Sequence, residues 1–178
     1  MQKKRQKQTG YFKNRSRVRL FIPAVILAGL LACAVLPARA QAERLCFPLQ
    51  TMQYRISDSY GWREDPFTGE KTMHEGIDLA CAEGTAVLAA GDGIVLQAKR
   101  SDSYGNCVRI LHLDESETLY AHLQYIYVRA GEVVCAGQTI GTAGQSGRAT
   151  GAHLHFELWE QGEVCDPSAA LCLPDDAS

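Results

Sequence analysis

Residues 153–159 read His153-Leu154-His155-Phe156-Glu157-Leu158-Trp159. Apolar and polar side chains alternate at every step, which is the period of a β-strand with one face in a core. Leu154, Phe156 and Leu158 point one way; His153, His155 and Glu157 point the other. Two imidazoles on one strand face, two residues apart, can share one small site. Taken alone, however, the segment reads rather as a polar strand face in water.

The texture of this segment extends over the chain from residue 50. Short apolar runs recur at 86–90, 94–98, 107–112, 118–123, 126–128 and 139–142, with turn residues between them. Gly91-Asp92-Gly93 reads as a hairpin-like turn between the first two. Clusters at 102–106 and 114–117 read as further turns. No stretch after residue 41 sustains a helical period. The expectation is an all-β chain, an antiparallel β-sandwich or partly open barrel.

The N-terminal 40 residues are of a different kind. Residues 1–19 carry eight basic side chains and no acidic one, and residues 20–36, LFIPAVILAGLLACAVL, carry no charge. Ala38-Arg39-Ala40 follows. This is the pattern of a secretory signal, and a run of about 17 apolar residues also suffices for an uncleaved N-terminal hydrophobic helix in a membrane. Either way the positive-inside rule puts the rest of the chain outside the cytoplasm: secreted, periplasmic or anchored to the outer face of the membrane through residues 20–36. From Gln41 onward there are nine basic against twenty acidic side chains. So acidic a body excludes nucleic acid as partner, because phosphate contacts need a basic surface. Cys33 lies in the apolar run. Cys46, Cys81, Cys107, Cys135, Cys165 and Cys172 follow it, an even number that suggests disulfides in an exported domain. The closely spaced pairs of a cysteine zinc site are absent. The chain thus divides into a basic segment (1–19), a signal or anchor (20–40), a linker (41–54), one domain (55–170) and a tail (171–178).

The chain has five histidines, and four lie in patterns that acquire meaning together. His74-Glu75-Gly76-Ile77-Asp78 places a histidine four residues before an aspartate. Gly76 and β-branched Ile77 disfavour a helical turn; an extended strand puts 74, 76 and 78 on one face, with Gly76 leaving the space between the other two empty. Leu119-Tyr120-Ala121-His122-Leu123 reads as a half-buried strand with one histidine. Catalytic zinc takes three nitrogen or oxygen ligands and keeps one position open. His74, Asp78 and His155 provide such a set. His122 and His153 remain, and hydrolysis needs two such neighbours: one to take a proton from the attacking water, one to steady the oxyanion.

These residues resemble a known family. DSYGWREDPFTGEKTMHEGID at 58–78, LYAHL at 119–123 and GQSGRATGAHLHFEL at 144–158 are similar, in that order, to the M23 (LytM or lysostaphin-like) metallopeptidases, over roughly residues 55–168. The resemblance implies the LytM-type fold, built on a duplicated hybrid motif, and one Zn2+ per domain held by His74, Asp78 and His155. His122 and His153 are the catalytic pair it implies, without saying which is the base. It further implies peptidoglycan stem peptides as substrate, cut at D,D-cross-links or at glycyl-glycine bridges. A different class also keeps this fold: a non-catalytic, membrane-anchored scaffold or wall-binding protein of division or sporulation. The complete His/Asp set speaks for the enzyme. His112 is read as structural. Gly144, Gly147 and Gly151 are not followed by the Lys-Ser/Thr and helix of a phosphate loop; they are expected to let a substrate backbone approach closely. Tyr60 and Phe67 are expected to line the groove, and Trp62 either to line it or to pack in the core.

Overall fold

The computed structural model describes residues 45–171. The signal or anchor segment, Cys33, Cys172 and the last residues lie outside the described residues. Among those described there is no α-helix, and no helix long and apolar enough to cross a membrane. In chain order the strands are β1 (Arg55–Asp58), β2 (Gly61–Glu64), β3 (Lys71–His74), β4 (Ile77–Ala80), β5 (Ala86–Leu88), β6 (Gly93–Ser101), β7 (Gly105–His112), β8 (Glu117–Ile126), β9 (Val133–Val134), β10 (Thr139–Ala143), β11 (His153–Glu160) and β12 (Glu163–Cys165). A 3-10 turn at Pro167–Ala169 closes the described chain. The all-β antiparallel expectation holds.

One large sheet runs β1-β4-β11-β8-β7-β6-β9, with β12 beside β11 and β10 joining β8 to β5. β2 and β3 form a separate two-stranded sheet. Alternation in β11 works as read: Leu154, Phe156 and Leu158 enter the main core with Leu79, Val87, Val95, Ile110, Tyr120 and Ile140. The opposite face of β7 and β8 carries a smaller cluster of Cys107, Leu119 and Ala121, with Tyr104 packed on it. Removing a ring as central as Phe156 costs about 3–5 kcal/mol in such cores.

β8 decides the shape. Its first half pairs with β11 as far as Ala121, opposite His155. Its second half pairs with β10 from Leu123 onward. Between the two stands His122, with φ at +60°, a conformation that costs a side-chain-bearing residue roughly 1–2 kcal/mol. The strand changes partner at that residue.

Several expectations need correction. Gly91–Gly93 does not close a hairpin: β5 pairs with β10, and β6 with β7 and β9. Residues 126–128 are not a separate strand, since β8 runs to Ile126. The stretch read as a linker is packed from Leu45 onward. Leu45 and Leu49 are buried in the core, the Cys46 amide donates to the Ala90 carbonyl, and bridges join Leu45 to Leu171 and Leu49 to Val87. Leu171, placed in the tail, is therefore core as well. Apolar residues spaced along an aperiodic segment carry no signature of where they dock. The strands β1, β2, β9 and β12 were missed, and 74–78 was read as one strand where β3 ends and β4 begins; each of these strands is four residues or fewer, too short for a period to declare itself. Cys46, Cys81, Cys107, Cys135 and Cys165 are free thiols, so the disulfide expectation finds no pair among the described residues.

Candidate metal centre

His74 ends β3, Asp78 is the second residue of β4, and His155 the third of β11. The first two do not share one strand face, as the sequence had suggested. They sit on different strands of different sheets, and Glu75-Gly76 is the crossing between them. Gly76 passes directly over β11. A Cβ there would meet the Phe156 carbonyl and lie 2.9 Å from His155 Cε1, so the space that a side chain needs is already taken. Register then places Asp78 opposite His155.

Three ligand atoms converge. His155 Nδ1 lies 2.7 Å from Asp78 Oδ1, His74 Nε2 3.2 Å from the same oxygen, and the two nitrogens 3.1 Å from each other. Tetrahedral ligands at zinc distances stand about 3.3 Å apart, so the set fits a zinc ion with only small outward shifts. The donor chemistry fits too: two buried imidazoles and one half-buried carboxylate. The far nitrogen of each imidazole is tied down. His74 Nδ1–H donates to the Ser59 carbonyl at 2.9 Å, and His155 Nε2–H to Glu157 Oε1 at 3.0 Å. These bonds leave the lone pairs of His74 Nε2 and His155 Nδ1 for a metal.

Without a metal the cluster shares protons instead. Burial alone would raise the Asp78 carboxyl, but hydrogen bonds from His155 and His74 outweigh it and hold it far below the carboxylate range. Burial works against the charged form of His155, yet Asp78 and Glu157 on either side raise it to about 9. Glu157 is 0% exposed; burial pushes its carboxyl up, and His155 and Tyr104 bring it below its ordinary value.

His122 and His153 face the same cleft, a space of ≈ 460 Å3 whose walls include His74, Asp78 and His155. Their ring centroids are 4.7 Å apart. Each ties its Nδ1 to a main-chain carbonyl at 2.8 Å, His122 to Ser146 and His153 to Gly151. Nε2 is left without a main-chain partner in both; that of His153 lies 3.7 Å from Asp78 Oδ2. Burial lowers His122 to about 4, so its imidazole is neutral at neutral pH.

The walls of the cleft meet in a clasp. Arg148 donates to Asp65 Oδ1 at 2.7 Å and lies 4.5 Å over the Phe67 ring. Phe67 lines the cleft as expected, but Trp62 is neither core nor lining and stands 68% exposed. Tyr60 is turned to the Val164 carbonyl. His112 lies apart from the cleft, bonded to the Asp92 carbonyl and Thr118. Two of the three glycines are taken up by close packing within the fold. Gly144 lies against the Gln124 backbone, and Gly147, at φ +74°, against Gly105; only Gly151 is open. Sequence reasoning passed over Glu157, which it counted as one more polar residue on its face. It also passed over Tyr104, read only as part of a turn cluster, and Ser146, which lies within the quoted stretch 144–158 but was given no role.

The sequence profile of "Peptidase family M23" matches residues 72–167. A DD-carboxypeptidase/endopeptidase, Mpg, of Neisseria meningitidis serogroup B is 40% identical over 139 residues, which are 77% of this chain and 32% of that protein. The chain thus spans about a third of the length of the curated relatives it matches. Among solved structures, a zinc-containing peptidase from Vibrio cholerae is similar at 36% identity and TM-score 0.63, over 68% of this chain and 38% of that one. The catalytic domain of the antimicrobial peptidase lysostaphin from Staphylococcus simulans is similar at 32% identity and TM-score 0.59, over 64% of this chain and 89% of that one.

Proposed function

Since the chain belongs to peptidase family M23, we propose that it is a zinc metalloendopeptidase that hydrolyses peptide cross-links of bacterial peptidoglycan. One observation carries the reading: three ligand atoms from His74, Asp78 and His155 within 3.2 Å of one another, with two histidines beside them whose Nε2 atoms are free. A scaffold has no use for that second pair. When bound, Zn2+ supplies Lewis acidity that brings the pKa of a water to about 7. The protein supplies the rest. One of His122 and His153 accepts a proton at Nε2, and the other donates from Nε2 to the oxyanion that forms at the scissile carbonyl. The carbonyl at each Nδ1 keeps a hydrogen there, so Nε2 of the neutral ring is the acceptor, and the ring that donates from Nε2 does so as imidazolium.

The substrate reading draws support from relatives. Three proteins of Vibrio cholerae, 39–43% identical over shorter spans, are named peptidoglycan DD-endopeptidases. A D,D-cross-link is accordingly the bond proposed. That substrate lies outside the cytoplasm, which agrees with the export signal read at residues 1–40. The test is to incubate the full chain, zinc-loaded, with purified peptidoglycan and to profile the products. Release of uncross-linked stem peptides is expected. A folded, zinc-loaded protein that leaves every cross-link intact would overturn the proposal.

A further inference from the structure

We infer that Tyr104 is a positioning residue that holds both halves of this site together: its hydroxyl steadies the metal-ligand side through Glu157, and its main-chain carbonyl holds His122. The inference rests on the metallopeptidase reading only in taking His155 as a ligand.

The first half of the argument concerns Glu157. A carboxyl group that is 0% exposed is tolerated only when hydrogen-bond partners surround it. Three do. His155 Nε2 and the Tyr104 hydroxyl both donate to Oε1, at 3.0 and 2.6 Å, and Trp159 Nε1 donates to Oε2 at 2.6 Å. Trp159 and Tyr104 therefore fix the plane of the carboxylate, one oxygen each. The carboxylate in turn fixes which nitrogen of His155 carries hydrogen and where its ring points. Tyr104 shares with His155 the very oxygen that sets this, and its ring lies 5.8 Å from that of His155.

The second half concerns His122. Its backbone breaks the β8 ladder at a positive φ, and its amide finds its acceptor in the Tyr104 carbonyl at 2.8 Å. Tyr104 is itself pinned in the β6–β7 turn by a bond from its amide to Ser101 Oγ at 3.0 Å. The next residue, Gly105, approaches the backbone of Ser146, whose carbonyl holds the His122 ring. One turn thus sets the height of His155 and of His122 in the cleft. The two functions use different atoms of Tyr104, so they can be separated: Tyr104→Phe removes the hydroxyl and keeps the carbonyl.

The experiment compares the full chain with its Tyr104→Phe and Glu157→Gln variants. Zinc affinity is read by chelator competition, and the His155 ring N–H by 15N NMR of the zinc-loaded protein. Turnover on peptidoglycan is read at saturating zinc. Tyr104→Phe is expected to lose about tenfold in zinc affinity and to shift the His155 resonance; Glu157→Gln to lose more, up to about 100-fold. At saturating zinc, kcat in Tyr104→Phe should fall less than its zinc affinity does, because His122 keeps its main-chain anchor. Zinc affinity and a His155 resonance equal to the parent in Tyr104→Phe would overturn the inference. A parent protein that takes up zinc but cuts no peptidoglycan would sink the proposed function alone, while the affinity and NMR readings still decide this one. A parent that takes up no zinc would sink both.

Discussion

Under the proposed function each of the five site residues has one separable task, and the tasks divide by atom. His155 offers Nδ1 toward His74 and Asp78; His122 offers Nε2 to the cleft because Ser146 holds its Nδ1. His155→Ala is therefore expected to lose bound zinc, measured by metal content after dialysis. His122→Ala should keep zinc and lose about 100-fold or more in kcat, the usual share of a general acid or base. Full activity in His122→Ala would remove it from the mechanism. Proton traffic gives a second prediction. In the metal-free protein His155 holds a proton up to about pH 9, between Asp78 and Glu157. Zinc must displace that proton at Nδ1. Zinc binding at pH 7 should release a proton, seen by calorimetry in buffers of different ionisation enthalpy. Affinity should weaken as pH falls below 9. A pH-independent affinity between 6 and 8 would contradict this.

At the scale of elements, the site depends on close approaches that only small residues allow. Gly76 carries the β3–β4 crossing over β11, where a Cβ would meet the Phe156 carbonyl and His155 Cε1. Gly76→Ala is expected to cost about 1–3 kcal/mol in denaturant unfolding, as overpacking does, and to weaken zinc, because the displaced ring is a ligand. The loop before β11 has a different job. Ser146 Oγ accepts the Asn106 amide and donates to the Leu123 carbonyl at 2.7 Å, locking the carbonyl that holds His122. Ser146→Ala should lower kcat while leaving zinc affinity unchanged; an equal loss of both would show that the loop supports the metal instead. The strand β8 makes both halves meet. It pairs with β11 up to Ala121 and with β10 from Leu123, so the residue at the switch is turned into the cleft.

For the whole molecule, the same groups set how stability varies with pH. His155 is raised to about 9, so the stability it contributes without metal is full below its unfolded value of about 6.5 and is lost as pH rises through 9. His122 is lowered to about 4, so native protein loses stability as pH falls from about 6.5 toward 4. The melting temperature of the metal-free protein should accordingly peak near pH 6.5 and fall on both sides; a monotonic profile from 4 to 9 would refute the pairing. Zinc at 1,000 times its Kd should add about 4 kcal/mol, so a chelator should lower the melting temperature of loaded protein and leave metal-free protein unchanged.

Sequence by itself determined the β-strand character of residues 153–159 and of most longer strands, because a two-residue period is local and survives in any tertiary context. It also determined the inventory of the site. His74, Asp78, His122, His153 and His155 are set apart by residue type and spacing, and the structure brings all five to one cleft. Only the tertiary structure decided the rest. Residues 74 and 155 are 81 apart in the chain, and no local pattern states that their nitrogens meet. The positive φ of His122 depends on which strands β8 pairs with. The burial of Leu45 and Leu49 depends on the edge they cover. Glu157 and Tyr104 acquire their roles because the fold closes water out around a carboxylate, leaving hydrogen bonds from the protein as its only stabilising partners.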